Sequence, residues 1–206
     1  ARSGLGSSAY GGDKAIFGFG STGSYVSLTN LVNASGVIGA DVTGVGTARF
    51  GITATEYGGD KGIFGFGFTN SESLTGVTNL ISNSGVVASD VSAVGTARRY
   101  ASAAPYGGDK GIFAYGNTSG GGNVSMSNLV SNSGVVASDV SGVGTAREGS
   151  NATNYGGDKA IFGFGNSGSV TGVTNLVNNS GVIAADVSAV GTARDSLAAA
   201  GYSYSA

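Results

Sequence analysis

Residues 57–67 read Tyr57-Gly58-Gly59-Asp60-Lys61-Gly62-Ile63-Phe64-Gly65-Phe66-Gly67. Paired glycines and an aspartate mark a tight turn, and the β-branched and aromatic run behind them has the composition of a strand. The stretch recurs with its tyrosine at Tyr10, Tyr57, Tyr106 and Tyr155, at spacings of 47, 49 and 49 residues. A second marker, Ala-Arg, ends at Arg2, Arg49, Arg98, Arg147 and Arg194, with spacings of 47, 49, 49 and 47. Between them recur (Thr/Ser)-Asn-Leu-(Val/Ile) and Ser-Gly-Val-(Val/Ile), the latter leading to an aspartate. Self-similarity at this period identifies a repeat architecture.

Each unit offers four strand candidates. In the second they are residues 50–55, 62–66, 76–81 and 85–91, each bounded by Gly, Asn, Ser or Asp. No window carries apolar residues at helical spacing for long enough to form a helix. Four short strands in about 48 residues is the content of one propeller blade. The expected fold is therefore all-β, a β-propeller of four-stranded blades 47 to 49 residues long. The chain forms one domain with units 1–47, 48–96, 97–145 and 146–192, followed by a closing or surplus strand at 193–206. Gly65 between Phe64 and Phe66 is expected to put both rings on one face and to leave the other open to a neighbouring sheet.

The chain starts inside a Gly-Thr-Ala-Arg motif without an initiator Met, which suggests a cut from something longer. The last unit degenerates after Tyr202, as a natural end would. A four-bladed ring with a spare strand, a larger ring, and an open stack whose surplus strand pairs with the next subunit all fit this count. A closed ring is favoured, because an unpaired edge is an aggregation hazard.

Only 11% of residues are charged and the net charge is −2, which leaves no basic patch for nucleic acid or anionic lipid. No apolar run approaches the length of a membrane span, and 40% hydrophobic residues at fixed positions argue against disorder. Histidine and cysteine are absent, so Ser-His and Cys-His catalysis are excluded. No distinguishable acid–base pair, zinc set or phosphate loop is present, so no catalytic residue, metal or cofactor is expected.

The repeated charges fall into two groups. Arg49, Arg98, Arg147 and Arg194 with Asp41, Asp90, Asp139 and Asp186 are expected to form a structural ring of ion pairs at blade junctions, where the planar guanidinium offers five donors. Tyr10, Tyr57, Tyr106 and Tyr155, each close to Asp13, Asp60, Asp109 or Asp158, form the candidate ligand contacts, since an aromatic face beside an acidic acceptor suits a sugar. Variation among units concentrates in two loops, one after the aromatic strand and one after the arginine, and recognition is expected there.

The arrangement Ala48-Arg49 through Tyr57, then Lys61 to Gly67, then Val77 to Ile81, resembles the kelch-type propeller repeat. The kelch tryptophan is missing, and the paired glycines precede the aromatic strand instead of following it. Tyr10 to Gly20 and its three echoes are also similar to regular repeats in virion proteins of large tailed phages. That resemblance implies a non-enzymatic structural component of a virion or other extracellular assembly, a decoration or a fibre. Its partners would be its own copies or other assembly proteins. The alternative is a carbohydrate-binding propeller with glycans as partners and one shallow pocket per blade.

Overall fold

The computed structural model describes residues 1–71 and 73–201. Each unit begins with a hairpin. β1 (Gly6–Tyr10) pairs antiparallel with β2 (Lys14–Gly18), and β3 (Thr29–Val32) adds to the other edge of β2. Tyr10 faces Lys14 across the Gly11-Gly12-Asp13 turn, where the glycines take φ of 62° and 82°. Those left-handed values strain any residue with a Cβ, which is why glycine recurs there. The pattern returns as β4 (Thr53–Tyr57), β5 (Lys61–Gly65) and β6 (Thr78–Ile81). It returns again as β7 (Ser102–Tyr106), β8 (Lys110–Ala114) and β9 (Ser127–Val130). The fourth sheet is β10 (Asn151–Tyr155), β11 (Lys159–Gly163) and β12 (Thr174–Val177).

The sheets therefore have three strands, not the four expected. The fourth candidate, residues 85–91 in the second unit, touches β6 only through isolated bridges, Ile81 to Val87 and Thr78 to Val91. A side chain intervenes: Asn79 Nδ2 donates to the Ala88 carbonyl at 3.1 Å and to Asp90 at 2.8 Å, holding this segment out of a regular ladder.

The apolar clusters lie between units rather than within them. Tyr10, Ile16 and Phe19 of the first unit pack with Ile52, Phe64, Ile81 and Val87 of the second. Equivalent clusters join the second unit to the third and the third to the fourth. A lone unit would expose half of each cluster, so the units stabilise one another as stacked repeats do. Phe64, Phe66 and Phe113 are fully buried, and each such ring contributes about 1.5–3 kcal/mol.

Phe64 and Phe66 do not share a face. Phe64 meets Phe19 of the first unit edge-on at 5.1 Å, whereas Phe66 meets Phe113 of the third at 5.2 Å. The expected alternation fails because Phe66 has a φ of 63°, which turns its side chain to the opposite side. Gly65 does permit close approach: a Cβ there would lie 2.9 Å from the Phe113 ring.

β1 packs on β4, β4 on β7 and β7 on β10, while β3, β6, β9 and β12 pack comparably only within their own sheets. Inner strands touching while outer strands part describes a fan. Among the described residues, no comparable packing returns β10 to β1, so the favoured closed ring is not what the sheets form. Two cavities, of about 570 and 310 Å³, run along the inner strands, and Ser7, Ala54, Ala103, Ala152 and Ala199 line both. The segment after β12 reaches this channel, held by Ser196 N to Gly149 O at 2.9 Å and Asn151 Nδ2 to Leu197 O at 2.6 Å. The remainder of the expected surplus strand, 202–206, lies outside the described residues.

Candidate functional site

Three kinds of residue were expected to matter, and the fold separates them. The arginines are pins between units. Arg98 has no exposed surface; its guanidinium lies 4.0 Å from the Phe66 ring centre and donates to Asn128 Oδ1 at 2.6 Å and the Thr96 carbonyl at 3.1 Å. Arg147 repeats this over Tyr115 with Asn175, and Arg49 over Phe19 with Asn79. Burial pulls Arg49 and Arg98 down to about 10, against the opposing pull of Asp90 and Asp139, so both remain cationic at neutral pH. Arg194 lies exposed over Phe164, 3.9 Å from its ring centre.

The aspartates are latches. Asp139 accepts from Thr96 N at 3.0 Å, Thr96 Oγ1 at 2.7 Å and Asn128 Nδ2 at 2.9 Å. Asp90 does the same with Thr47 and Asn79, and Asp186 with Thr145 and Asn175. Asp41 accepts from Asn30 at 2.8 Å. Among the described residues, Arg98–Asp139 at 3.9 Å is the only direct ion pair between these arginines and aspartates. The expected ion-pair ring is instead a relay in which a buried asparagine receives from the arginine and donates to the aspartate. Asn79, Asn128 and Asn175 have no exposed surface, and sequence reasoning missed them. Their signal was the invariant Asn of each (Thr/Ser)-Asn-Leu-(Val/Ile) motif, a polar residue kept inside an apolar strand.

Asp90, Asp139 and Asp186 all sit below the usual aspartate value. Burial alone would raise each one, but the threonine and asparagine hydrogen bonds and the nearby arginine together outweigh it. A folded-state value below the unfolded one gives stability that is complete above the unfolded pKa and lost as pH falls through the folded one. Thermal melts followed by circular dichroism are expected to be flat from neutral pH to about 5 and to drop below about 4. In Asp139→Asn the drop is expected to shrink.

The tyrosine–aspartate pairs do not form open sites. Tyr10, Tyr57 and Tyr106 are each 4% exposed. Their rings press on Gly85, Gly134 and Gly181 of the following unit, where a Cβ would stand 2.9 Å from the ring. Tyr155 is half-buried. Asp60, Asp109 and Asp158 accept from Asn83, Asn132 and Asn179 at 3.0–3.1 Å, while Asp13 has Lys14 at 3.7 Å. No free face of Tyr10, Tyr57 or Tyr106 is left for a sugar. Among the described residues, no three carboxylates gather closely enough to hold a metal ion.

The two variable loops meet at one end of the sheets. Bridges join Ser3 to Ser21, Phe50 to Phe68, Arg99 to Asn117 and Glu148 to Asn166. Beside them a backbone chain crosses the units, from Gly51 N to Gly4 O, Tyr100 N to Gly51 O, Gly149 N to Tyr100 O and Ser196 N to Gly149 O, at 2.9–3.3 Å. These residues edge the larger cavity. Here the repeats stop being alike. One side is aromatic, with Tyr25 stacked on Phe50 at 5.5 Å and Phe50 edge-on to Phe68 at 5.2 Å. The other is polar, with Asn117 donating to Asn123 at 2.9 Å and Asn123 to the Asn166 carbonyl at 2.8 Å. No family model and no curated protein matches this chain.

Proposed function

We propose that the chain is a non-enzymatic structural module of a virion or other extracellular assembly, its sheets an arc of a β-propeller of kelch type. The joint between units carries this reading. Arginine, asparagine, aspartate and threonine recur in register and interlock each sheet with the next, as at Arg98, Asn128, Asp139 and Thr96. Residues repeated in every unit serve the unit, and a chain built this way favours a rigid, self-supporting scaffold. The motif at Tyr10 to Gly20 supports the virion setting through its similarity to tailed-phage virion repeats. Divergence of the sheets and the channel along their inner strands support the propeller arc.

Mass spectrometry of purified extracellular particles from the producing source tests the placement. A stoichiometric component is expected, and confinement of the protein to the soluble cell fraction overturns it. Negative-stain class averages test the geometry: curved, open arcs are expected, and straight rods rule out the propeller arc.

A further inference from the structure

We propose that the loop face around Tyr100 is a saccharide-binding site, distinct from the buried tyrosine–aspartate pairs. Ser196 of the partial fifth unit shares the left-handed backbone of Tyr100, with φ of 51°, but Tyr100 breaks a rule that the other complete units keep. At its position they carry Gly4, Gly51 and Gly149, with φ of 60°, 61° and 59°, while Tyr100 holds a φ of 51° with a bulky side chain. A left-handed backbone strains such a residue, and strain of this kind concentrates at binding and active sites. Nothing in the repeat requires a ring there, because three of the four complete units manage with glycine.

The surroundings are equally unrepeated. Phe50 and Phe68 meet the Tyr100 ring edge-on at 6.3 and 6.1 Å, and the Arg99 guanidinium lies 5.2 Å from the Phe68 ring centre and 5.3 Å from that of Tyr100. Positions equivalent to Arg99 hold Ser3, Phe50, Glu148 and Asp195, so neither Arg99 nor Glu148 belongs to the repeated joint. Each is half-buried. Arg99 Nε is buried without a hydrogen-bond partner, as is the Nε of each buried pin arginine, and outside the repeated relay Glu148 Oε2 is likewise buried without one. Both charges reach the Tyr100 phenol, which burial raises first, with Arg99 opposing and Glu148 adding.

This chemistry fits a sugar. A pyranose has apolar C–H faces that lie on aromatic rings, and a rim of hydroxyls that donate to a carboxylate and accept from a planar guanidinium. A few placed polar groups beside an apolar surface are what fixes a ligand's orientation. The adjoining cavity is edged mainly by glycine, alanine and serine, with Leu5, Ile52 and Leu197 its larger aliphatic side chains. One arginine beside one glutamate is too weak a cation for phosphate.

The test is an array of neutral and acid-bearing oligosaccharides probed with the whole chain, followed by calorimetric titration of the strongest hit. Tyr100→Gly restores the residue that the fold uses elsewhere, so it is expected to melt within a few degrees of the parent or above it. It is also expected to bind at least tenfold more weakly, as are Arg99→Ala and Glu148→Gln. No signal above the blank array at high protein density overturns the proposal, and so does a Tyr100→Gly chain that binds within twofold of the parent. Because these residues lie outside the repeated joint, particle association is expected to survive all three changes. The saccharide site and the assembly role therefore fail separately.

Discussion

Arg98→Ala is expected to destabilise the chain by about 3–5 kcal/mol, the range seen when one partner of a buried charged network is deleted. The guanidinium has no exposed surface, lies over the Phe66 ring at 4.0 Å, and bonds Asn128 at 2.6 Å and the Thr96 carbonyl at 3.1 Å. Alanine removes all three contacts. It leaves the Asn128 carbonyl oxygen buried without its donor, deprives Asp139 of its nearest cation and opens a void on the Phe66 face. Arg98→Lys is expected to recover little of this, because an ammonium is a point charge that cannot lie flat on the ring while donating along two directions. Urea unfolding followed by circular dichroism measures both variants. A loss under about 1 kcal/mol for alanine would place the arginine among the weak surface contacts. The joint joins the second unit to the third, so limited proteolysis of Arg98→Ala is expected to cut first near residues 96–101.

Gly67→Ala is expected to cost about 3 kcal/mol, and Gly59→Ala only about 1. Both glycines are left-handed, with φ of 99° and 78°. They differ in what a methyl group would meet. At Gly67 a Cβ would lie 2.7 Å from the Phe50 carbonyl oxygen and 2.6 Å from the Ile52 side chain, and at Gly59 nothing stands within 4 Å. The Gly67 amide also donates to the Arg98 carbonyl at 2.8 Å, so a shift that relieved the clash would loosen the joint to the third unit. Gly59→Ala thus isolates backbone strain, and the difference between the variants measures crowding. Equal losses in parallel urea titrations would mean that strain alone accounts for both.

Much of this architecture was legible in the sequence because its signals are local. Tyr57 to Gly67 specifies a hairpin through a glycine turn and a β-branched strand, and the structure places β4 and β5 on either side of that turn. The segment after Gly85 is apolar enough to suggest a strand. Its Val86 is 65% exposed, and the amide of Asn79 takes the Ala88 carbonyl, so no ladder forms. Tyr57 beside Asp60 has the composition of a sugar site, yet the ring is pressed onto Gly134 of the next unit. Adjacency along the chain carries no information about which face another sheet covers.

By itself the sequence determined the period, the turns, the inner two strands of each unit and the importance of the arginines. Those follow from glycine's access to positive φ, from side-chain composition and from repetition. Only the tertiary structure decided what each surface meets, because that depends on the separation between stacked sheets. It showed Phe64 and Phe66 turned to opposite neighbours, buried asparagines linking arginine to aspartate, and the variable loops gathered at one end. Tyr100 illustrates the division. In the sequence it is one more residue of a variable loop; in the fold it is a strained ring, standing where the other complete units place glycine.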